Sequence, residues 1–338
     1  MTQAIFQTER ALHAAGRLDE AEALYRQAAG WRPSWSLGNL GVILRTSGRL
    51  VEAESTLRAA HADDPANPRV RHTLGMTLLQ LGRYAEGWRF YDAVREIHPQ
   101  VTAPLPLWQG EPLTGKSILV VGEQGLGDQI LLSRFLPLLN AGRVTFAASR
   151  ALVPFLAPRL PVEVFYPQTW DGVVADYWTP LAAVPRWLEI GPADAPRPPD
   201  RSAGAARGIG LMLDGAANNP NPARLPPPGV AAAIRGLADF TDLDPAASGA
   251  RDFAETAATI AGLEAVVTVD TSVAHLAGAM GKPCFILMPR PASDWYTNWH
   301  DDRSPWYPSV RLIRQRTPGD WAGVIGELAG ALARLAGA

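Results

Sequence analysis

Leu44-Arg-Thr-Ser-Gly48-Arg-Leu50-Val-Glu-Ala53-Glu-Ser-Thr-Leu57 carries the pattern that decides the first hundred residues. Aligned on Gly48, the pattern returns around Gly16 and Gly82, at spacings of 32 and 34 residues. An apolar residue precedes each glycine by four positions: Leu12, Leu44, Leu78. Apolar or aromatic residues follow at two and nine: Leu18 and Tyr25, Leu50 and Leu57, Tyr84 and Tyr91. A small residue follows at five (Ala21, Ala53, Gly87) and a proline at seventeen (Pro33, Pro65, Pro99). Leu40-Gly41 and Leu74-Gly75 share one further pair of positions, where the first unit has Glu9 in place of glycine.

Each feature has a physical role in a helical hairpin. Glycine ends the first helix in the left-handed conformation. The small residue lets two antiparallel helices approach, and the proline closes the second helix. A single hairpin cannot bury its apolar face, whereas three stacked hairpins make a continuous core. The competing reading is an ordinary bundle whose glycines coincide. The number of shared positions favours three repeats over residues 1–101.

Working outward, the 338 residues suggest two or three domains, with apolar content of 47% to fill their cores. A net charge of −2 offers no bulk attraction for nucleic acid or an anionic membrane. One cysteine, Cys284, excludes an intramolecular disulfide framework and fits a reducing compartment. No apolar run reaches about 18 residues, and the amphipathic N-terminus with Glu9 does not read as a signal peptide. The expectation is a soluble cytoplasmic protein without a membrane span. Only two lysines, Lys116 and Lys282, stand against 29 arginines. Either those positions need a compact ammonium that a guanidinium cannot replace, or both lysines are survivors on turns.

Beyond a proline-rich connector at 103–108, Ser117-Ile-Leu-Val-Val-Gly122 reads as a buried parallel strand. It runs into Glu123-Gln-Gly-Leu-Gly-Asp128 and a helix over 129–140, with further strands at 144–147 and 162–166. Strand–helix alternation implies a doubly wound parallel sheet. Residues 191–207, rich in Pro, Ala and Asp, read as a linker. Strands at 209–213, 265–269 and 284–288 then build a second sheet, with helices at 230–237 and 254–262 and an amphipathic helix at 321–335. The organisation is thus repeats over 1–101, a first α/β lobe over 104–190, a linker over 191–207, a second lobe over 208–325 and a closing helix over 326–338, with a cleft between the lobes.

Two turns can carry chemistry. Asp270-Thr271-Ser272 follows one buried strand and opens a helix, so free backbone N–H groups and the positive dipole end face a phosphate there. Thr271 or Ser272 can equally cap that helix without any ligand. His275, one turn on, can reach a diphosphate or be structural. In the first lobe, the glycines around Gln124 (Gly125 and Gly127) allow close approach by a ligand. They lack full G-x-G-x-x-G spacing, which leaves dinucleotide binding unsupported. Asp128 there can accept a proton from a hydroxyl or cap its own helix. The remaining histidines form no ligand-spaced cluster, so no metal site is expected. The aromatic residues Trp295, Tyr296, Trp299, Trp306 and Tyr307 are too dense for solvent and either line the cleft or plug the lobe interface, the plug being the favoured reading.

The 34-residue hairpins resemble tetratricopeptide (TPR) repeats. The segment from Trp108-x-Gly110 and Leu113-x-Gly115-Lys116 to Glu123-Gln-Gly-Leu-Gly-Asp128 resembles the start of the glycosyltransferase module of bacterial tetratricopeptide-repeat proteins. Asp252-Phe-Ala-x-Thr256 and Val269-Asp-Thr-Ser-Val-Ala-His-Leu-Ala-Gly-Ala-Met-Gly-Lys-Pro283 resemble its second signature. Ser304-Pro-Trp-Tyr-Pro308, Arg311-Leu-x-Arg-Gln315 and Gly319-Asp-Trp321 resemble its closing motifs. The resemblance implies a GT-B fold of two Rossmann-like lobes, related to glycosyltransferase family 9 (heptosyltransferases) and similar in architecture to protein O-GlcNAc transferases. It implies a nucleotide-sugar co-substrate, transfer to an acceptor hydroxyl without metal and no other cofactor. It implies Asp128 as general base and Gln124, Gly125, Gly127, Asp270, Thr271, Ser272, His275 and Lys282 around the donor. Gln7, Asn39 and Thr73 occupy the repeat positions where O-GlcNAc transferases carry acceptor-docking asparagines. The acceptor expected is a protein or peptide on the repeat groove, flagellin being one such target in the family. The turn Leu213-Asp-Gly215 departs from the family pattern, which leaves a non-catalytic adaptor or chaperone as the rival reading. A glycan acceptor of the lipopolysaccharide type is the other alternative.

Overall fold

The computed structural model describes residues 17–31, 33–97, 102–196, 207–214, 225–290, 296 and 301–336. The chain divides into two compact units, a helical one built on Met1–Gln100 and an α/β one built on Val101–Arg290 and His300–Ala338.

The helical unit contains α1 (Leu18–Ala28), α2 (Pro33–Thr46), α3 (Leu50–Asp63), α4 (Pro68–Gln80), α5 (Tyr84–Tyr91) and the short α6 (Val94–Ile97). Gly48 and Gly82 end α2 and α4 with φ of +81° and +78°. The N–H of the following arginine donates back to Leu44 and Leu78, which closes each helix as the repeat predicts. At Gly75 a Cβ would lie 2.4 Å from the backbone nitrogen of Tyr91, so α4 and α5 touch main chain to main chain. At Gly41, the same position in the preceding repeat, a Cβ would lie 2.4 Å from Cγ of Leu57 in α3, so both glycines of the Leu-Gly pair make room for the facing helix. Pro33 opens α2 rather than closing the helix before it, a position where a missing N–H costs nothing. Ala21, Tyr25, Leu40, Leu44, Ala53, Leu57, Leu74 and Leu78 form the shared core.

Arginines after two of the repeat glycines stitch neighbouring units. Arg49 pairs with Glu22 and Glu52, and Arg83 with Glu54. These exposed pairs fix register more than they stabilise.

The α/β unit holds two all-parallel sheets. The first joins β1 (Ser117–Val121), β2 (Arg143–Ala147), β3 (Glu163–Phe165) and β4 (Tyr177–Pro180) in the order β3-β2-β1-β4. The second joins β5 (Ile209–Met212), β6 (Phe240–Asp242), β7 (Ala265–Val269), β8 (Cys284–Met288) and β9 (Val310–Arg314) in the order β6-β5-β7-β8-β9. Every residue of β7 and β8 is buried, as covering on both faces requires. The helices that matter below are α7 (Leu126–Ser133), α8 (Val153–Leu156), α9 (Val184–Leu188), α10 (Pro228–Arg235), α11 (Pro245–Ser248), α12 (Phe253–Ala261), α13 (Ser272–Ala279) and α14 (Trp321–Ala336). Helix α14 starts at Trp321 and lays Trp321, Val324, Leu328 and Leu332 on the core of the second sheet. The segment read as a separate closing helix from 326 is therefore the body of one helix packed on that lobe.

In an open parallel sheet, ligands bind outside the carboxyl ends of the strands where the strand order reverses. Those points lie between β1 and β4 in the first sheet and between β5 and β7 in the second.

Candidate functional site

Helix α7 packs against α13, which brings the turn after β1 and the turn after β7 together. The closest approach is at Gly127, where a Cβ would lie 2.5 Å from Cδ2 and 2.9 Å from Nε2 of His275. No side chain larger than hydrogen fits without moving the ring. The sequence-predicted residues Gly127 and His275 thus meet across the lobe interface, with Asp128 next in the chain to Gly127.

The first-lobe turn is organised by its own carboxylates. Gln124 takes φ of +65°, a left-handed position that turns the chain sharply after β1. Gly125 begins the helix, and its N–H donates to Asp128 Oδ2 at 3.2 Å. Asp128 therefore does cap α7, one of the two roles its position allows. Buried Gln129 locks the same helix to the end of β2, donating from Nε2 to Ser149 Oγ at 2.9 Å and accepting the Ser149 N–H at 3.0 Å. Glu123, not among the residues singled out from the sequence, reaches across the switch point. Its two oxygens accept the N–H groups of Leu181 and Ala182 at 2.9 and 2.8 Å, just beyond β4. Burial pushes the Glu123 carboxyl up to about 7; the two N–H groups oppose this and the charge of Asp128 adds to it.

The second-lobe turn is built differently. Thr271 is the N-cap of α13 in an extended conformation, yet its side chain makes no capping bond and its Oγ1 lies 3.1 Å from Thr268 Oγ1. Asp270 is buried at the end of β7, and Thr271 and Ser272 are partly exposed. His275 is buried on the first turn of α13, with Nδ1 3.2 Å from the hydroxyl of Tyr307. Burial pushes the Tyr307 phenol upward, so it keeps its proton throughout the physiological range. Arg134, at the end of α7, donates to the carbonyls of Trp306 and Pro196, both at 3.3 Å, and lies 4.8 Å over the Tyr307 ring. Phe135 meets Trp306 edge to face at 5.9 Å. Trp306 and Tyr307 thus plug the lobe interface, while Trp295 and Trp299 lie outside the described residues.

Other predicted positions are placed elsewhere. Lys282 does not face the turn after β7. Its ammonium donates to the carbonyls of Ala261 and Leu263, both at 2.7 Å, at the C-terminus of α12, where a cation complements the helix dipole. Lys116 pairs at the surface with Asp176 at 3.3 Å. Asp252 is the N-cap of α12, accepting the N–H groups of Ala254 and Glu255. Asn39 and Thr73 share a groove of about 270 Å³ with Trp35, Asn67, Val70 and His72, and each also bonds a carbonyl of its own helix. Gln7 lies outside the described residues. Among the described residues, no three His, Cys, Asp or Glu gather into a cation site, and no helix is long and apolar enough to cross a membrane.

Glu123 and Arg134 escaped notice in the sequence because their partners lie 58 and 172 positions away, and Tyr307, noted there only for its place in an aromatic cluster, meets His275 from 32 positions away. The available signals were a lone acid in a turn closing a buried strand, and the density of aromatic residues around Tyr307.

Comparison with known proteins agrees with this architecture. Tetratricopeptide-repeat profiles match residues 10–27 and 44–104, and the glycosyltransferase family 9 (heptosyltransferase) profile matches residues 235–291. The chain thus carries TPR repeats followed by an α/β portion of two parallel, Rossmann-like sheets, the second of which includes the stretch that matches the glycosyltransferase family 9 profile. It is similar to Protein FlbA of Caulobacter vibrioides, at 27% identity over 328 residues covering 75% of this chain and 53% of the relative. The chain thus spans about half the length of that curated relative. Among solved structures, it is similar to a glycosyl transferase family 9 protein from Veillonella parvula, with 12% identity, TM-score 0.48, 66% of this chain and 98% of the other covered. It is also similar to the iron-containing dodecameric glycosyltransferase TibC from enterotoxigenic E. coli, with 17% identity, TM-score 0.46, 67% and 80% covered.

Proposed function

We propose that this chain is a glycosyltransferase that binds a nucleotide-sugar at the carboxyl end of the second sheet and moves the sugar to a hydroxyl of a protein or peptide held in the repeat groove. The reading is carried by the contrast between the two switch points. In the first lobe, Glu123 and Asp128 already occupy the backbone N–H groups. In the second, the Thr271 side chain leaves the start of α13 uncapped near His275, a position that suits a diphosphate.

In the reaction, the acceptor oxygen attacks the anomeric carbon and its proton passes to Asp128. The bond from that carbon to the diphosphate oxygen breaks, and the electron pair leaves with the nucleoside diphosphate. The first turn of α13, the hydroxyls of Thr271 and Ser272, and His275 stabilise the charge that develops there. Gln124 and Gly125 border the donor from the first lobe, and the bond from Gly125 N–H orients the Asp128 carboxylate. Asn39 and Thr73, which line one groove, support the peptide-acceptor reading. The family description names heptosyltransferases and so favours a saccharide hydroxyl as the second acceptor class.

The test is a panel of nucleoside diphosphates in thermal unfolding, followed by donor turnover with peptide and saccharide acceptors. One nucleotide is expected to stabilise the protein by about 2.7 kcal/mol at a hundredfold excess over Kd. Absence of stabilisation by every nucleotide, alongside tight binding of a partner protein, would replace the enzyme with an adaptor.

A further inference from the structure

We infer that the cavity between α7, α8 and α13 is a second ligand site, separate from the proposed donor seat, that takes a small amphipathic carboxylate: its apolar body lies among apolar side chains and its anionic end meets Arg134 and Arg159. The cavity has a volume of about 450 Å³, inside the range of roughly 300–1,000 Å³ usual for small-molecule sites. Its walls come from both lobes. Ile130 stands on α7, Phe155 and Leu156 on α8 with Leu160 just beyond, and Ala279 and Met280 at the end of α13. Ile130, Phe155 and Leu156 are buried and Leu160 is half-buried. Such a lining gains by taking an apolar group out of water.

The charges on the wall are of one sign. Arg134 donates to the carbonyls of Trp306 and Pro196. Arg159 donates to the carbonyl of Phe155 at 2.9 Å, and its guanidinium lies 4.3 Å over that ring. A guanidinium carries five N–H groups, so both arginines keep donors beyond these bonds. Among the described residues neither meets a carboxylate: their partners are carbonyls and aromatic rings. Partial burial lowers the Arg159 pKa, a cost that no acid offsets there. The third polar side chain, Ser133, gives its proton to the Ile130 carbonyl at 3.3 Å. Two guanidiniums on an apolar wall select an oxyanion, which matches the planar fork. A carboxylate carries one charge and loses less hydration on entering such a cavity than a doubly charged phosphate.

The place is distinct from the turns after β1 and β7. Arg134 stands seven positions beyond Gly127, about 10 Å along α7, and Ala279 one turn beyond His275 on α13. An occupant touches α7 and α8 of the first lobe and α13 of the second, and so joins the two.

The test is isothermal titration and thermal unfolding of the full chain with octanoate, beside octanol and octyl phosphate. Octanoate is expected to bind at one equivalent and raise Tm. Octanol should bind at least about tenfold more weakly, for want of a charge-assisted hydrogen bond. Arg159→Gln, at an exposed position, should weaken octanoate about tenfold and leave octanol unchanged. Leu160→Trp, which fills the mouth, should weaken both. Arg159→Gln decides by itself if that variant does not fold. No binding of octanoate, equal binding of octanol, or octanoate binding untouched by Arg159→Gln overturns the site. Tighter binding of octyl phosphate overturns the carboxylate as its anionic end. Octanoate and a nucleoside diphosphate bound together uphold a separate site, whereas displacement of one by the other overturns it. Octanoate binding with no response to any nucleotide leaves this site standing and removes the donor seat.

Discussion

At the carboxyl end of β1, the N–H groups of Gly125, Leu181 and Ala182 are taken by carboxylates of the chain itself; at the end of β7, α13 starts from Thr271, whose own side chain makes no capping bond. Both places are strand–turn–helix units at a reversal of strand order, where the backbone favours negative charge. The first lobe supplies that charge from Asp128 and Glu123. In the second, the Asp270 carboxylate stands buried at the end of β7, and the Thr271 side chain does not cap α13. On the proposed reading the two similar folds have different tasks: the self-occupied turn offers a positioned carboxylate, and the turn after β7 a seat for an anion.

The largest test of this contrast is Asp128→Asn. Asparagine caps a helix about as well as aspartate, so the fold should lose less than about 1 kcal/mol. Loss of the base should lower kcat by roughly 10²- to 10⁴-fold at unchanged nucleoside diphosphate affinity. Full turnover by this variant would reduce Asp128 to a cap and erase the chemical half of the comparison.

The next test concerns the carboxylate that fills the first switch point. Glu123 releases its proton at about pH 7 in the fold, against roughly 4.3 in an unfolded chain. The unfolded state therefore binds fewer protons between these values, and stability falls as pH rises through that window. The loss is at most about 4 kcal/mol and is complete above it. Chemical denaturation from pH 4 to 8 should show the slope in the wild type. Glu123→Gln should lack it, gaining on the wild type as pH rises. Parallel curves for the two proteins would mean that Glu123 titrates as an ordinary surface acid.

The smallest expected effect comes from making the second turn like the first. Thr271→Asp places a carboxylate where α13 now has no side-chain cap. It should add about 0.5–1 kcal/mol to stability and weaken nucleoside diphosphate binding about tenfold or more. Isothermal titration beside thermal unfolding reads both changes. Higher stability with undiminished nucleotide affinity would show that the anion binds elsewhere.

Legibility in the sequence followed the distance over which each feature is determined. The repeats were readable because the glycine, the small residue and the apolar positions of one hairpin lie within about thirty-four residues and recur. Gly48 and Gly82 adopt the expected left-handed φ. The inner strands β1, β5, β7 and β8 were readable as apolar runs because both faces of a central parallel strand are covered. Strands β4, β6 and β9 were not predicted, and all three are sheet edges. Their sequences, Tyr177-Trp-Thr-Pro180, Phe240-Thr-Asp242 and Val310-Arg-Leu-Ile-Arg314, mix polar and aromatic residues because one side has no neighbouring strand to match. For the site, the turns bearing Asp128 and His275 were legible from their place after buried strands. Lys282 was assigned to the donor, but its ammonium closes the end of α12.

The sequence by itself thus determined the hairpins, the two doubly wound lobes and the two turns where chemistry is expected, since each follows from local periodicity and from what a strand or helix end requires. Only the tertiary structure decided that His275 rests on Gly127, that Glu123 takes the N–H groups after β4, and that Arg134 reaches Tyr307. These contacts join residues remote in the chain. Their geometry is set by the packing of α7 on α13 and by burial, which drives most polar groups to find a partner.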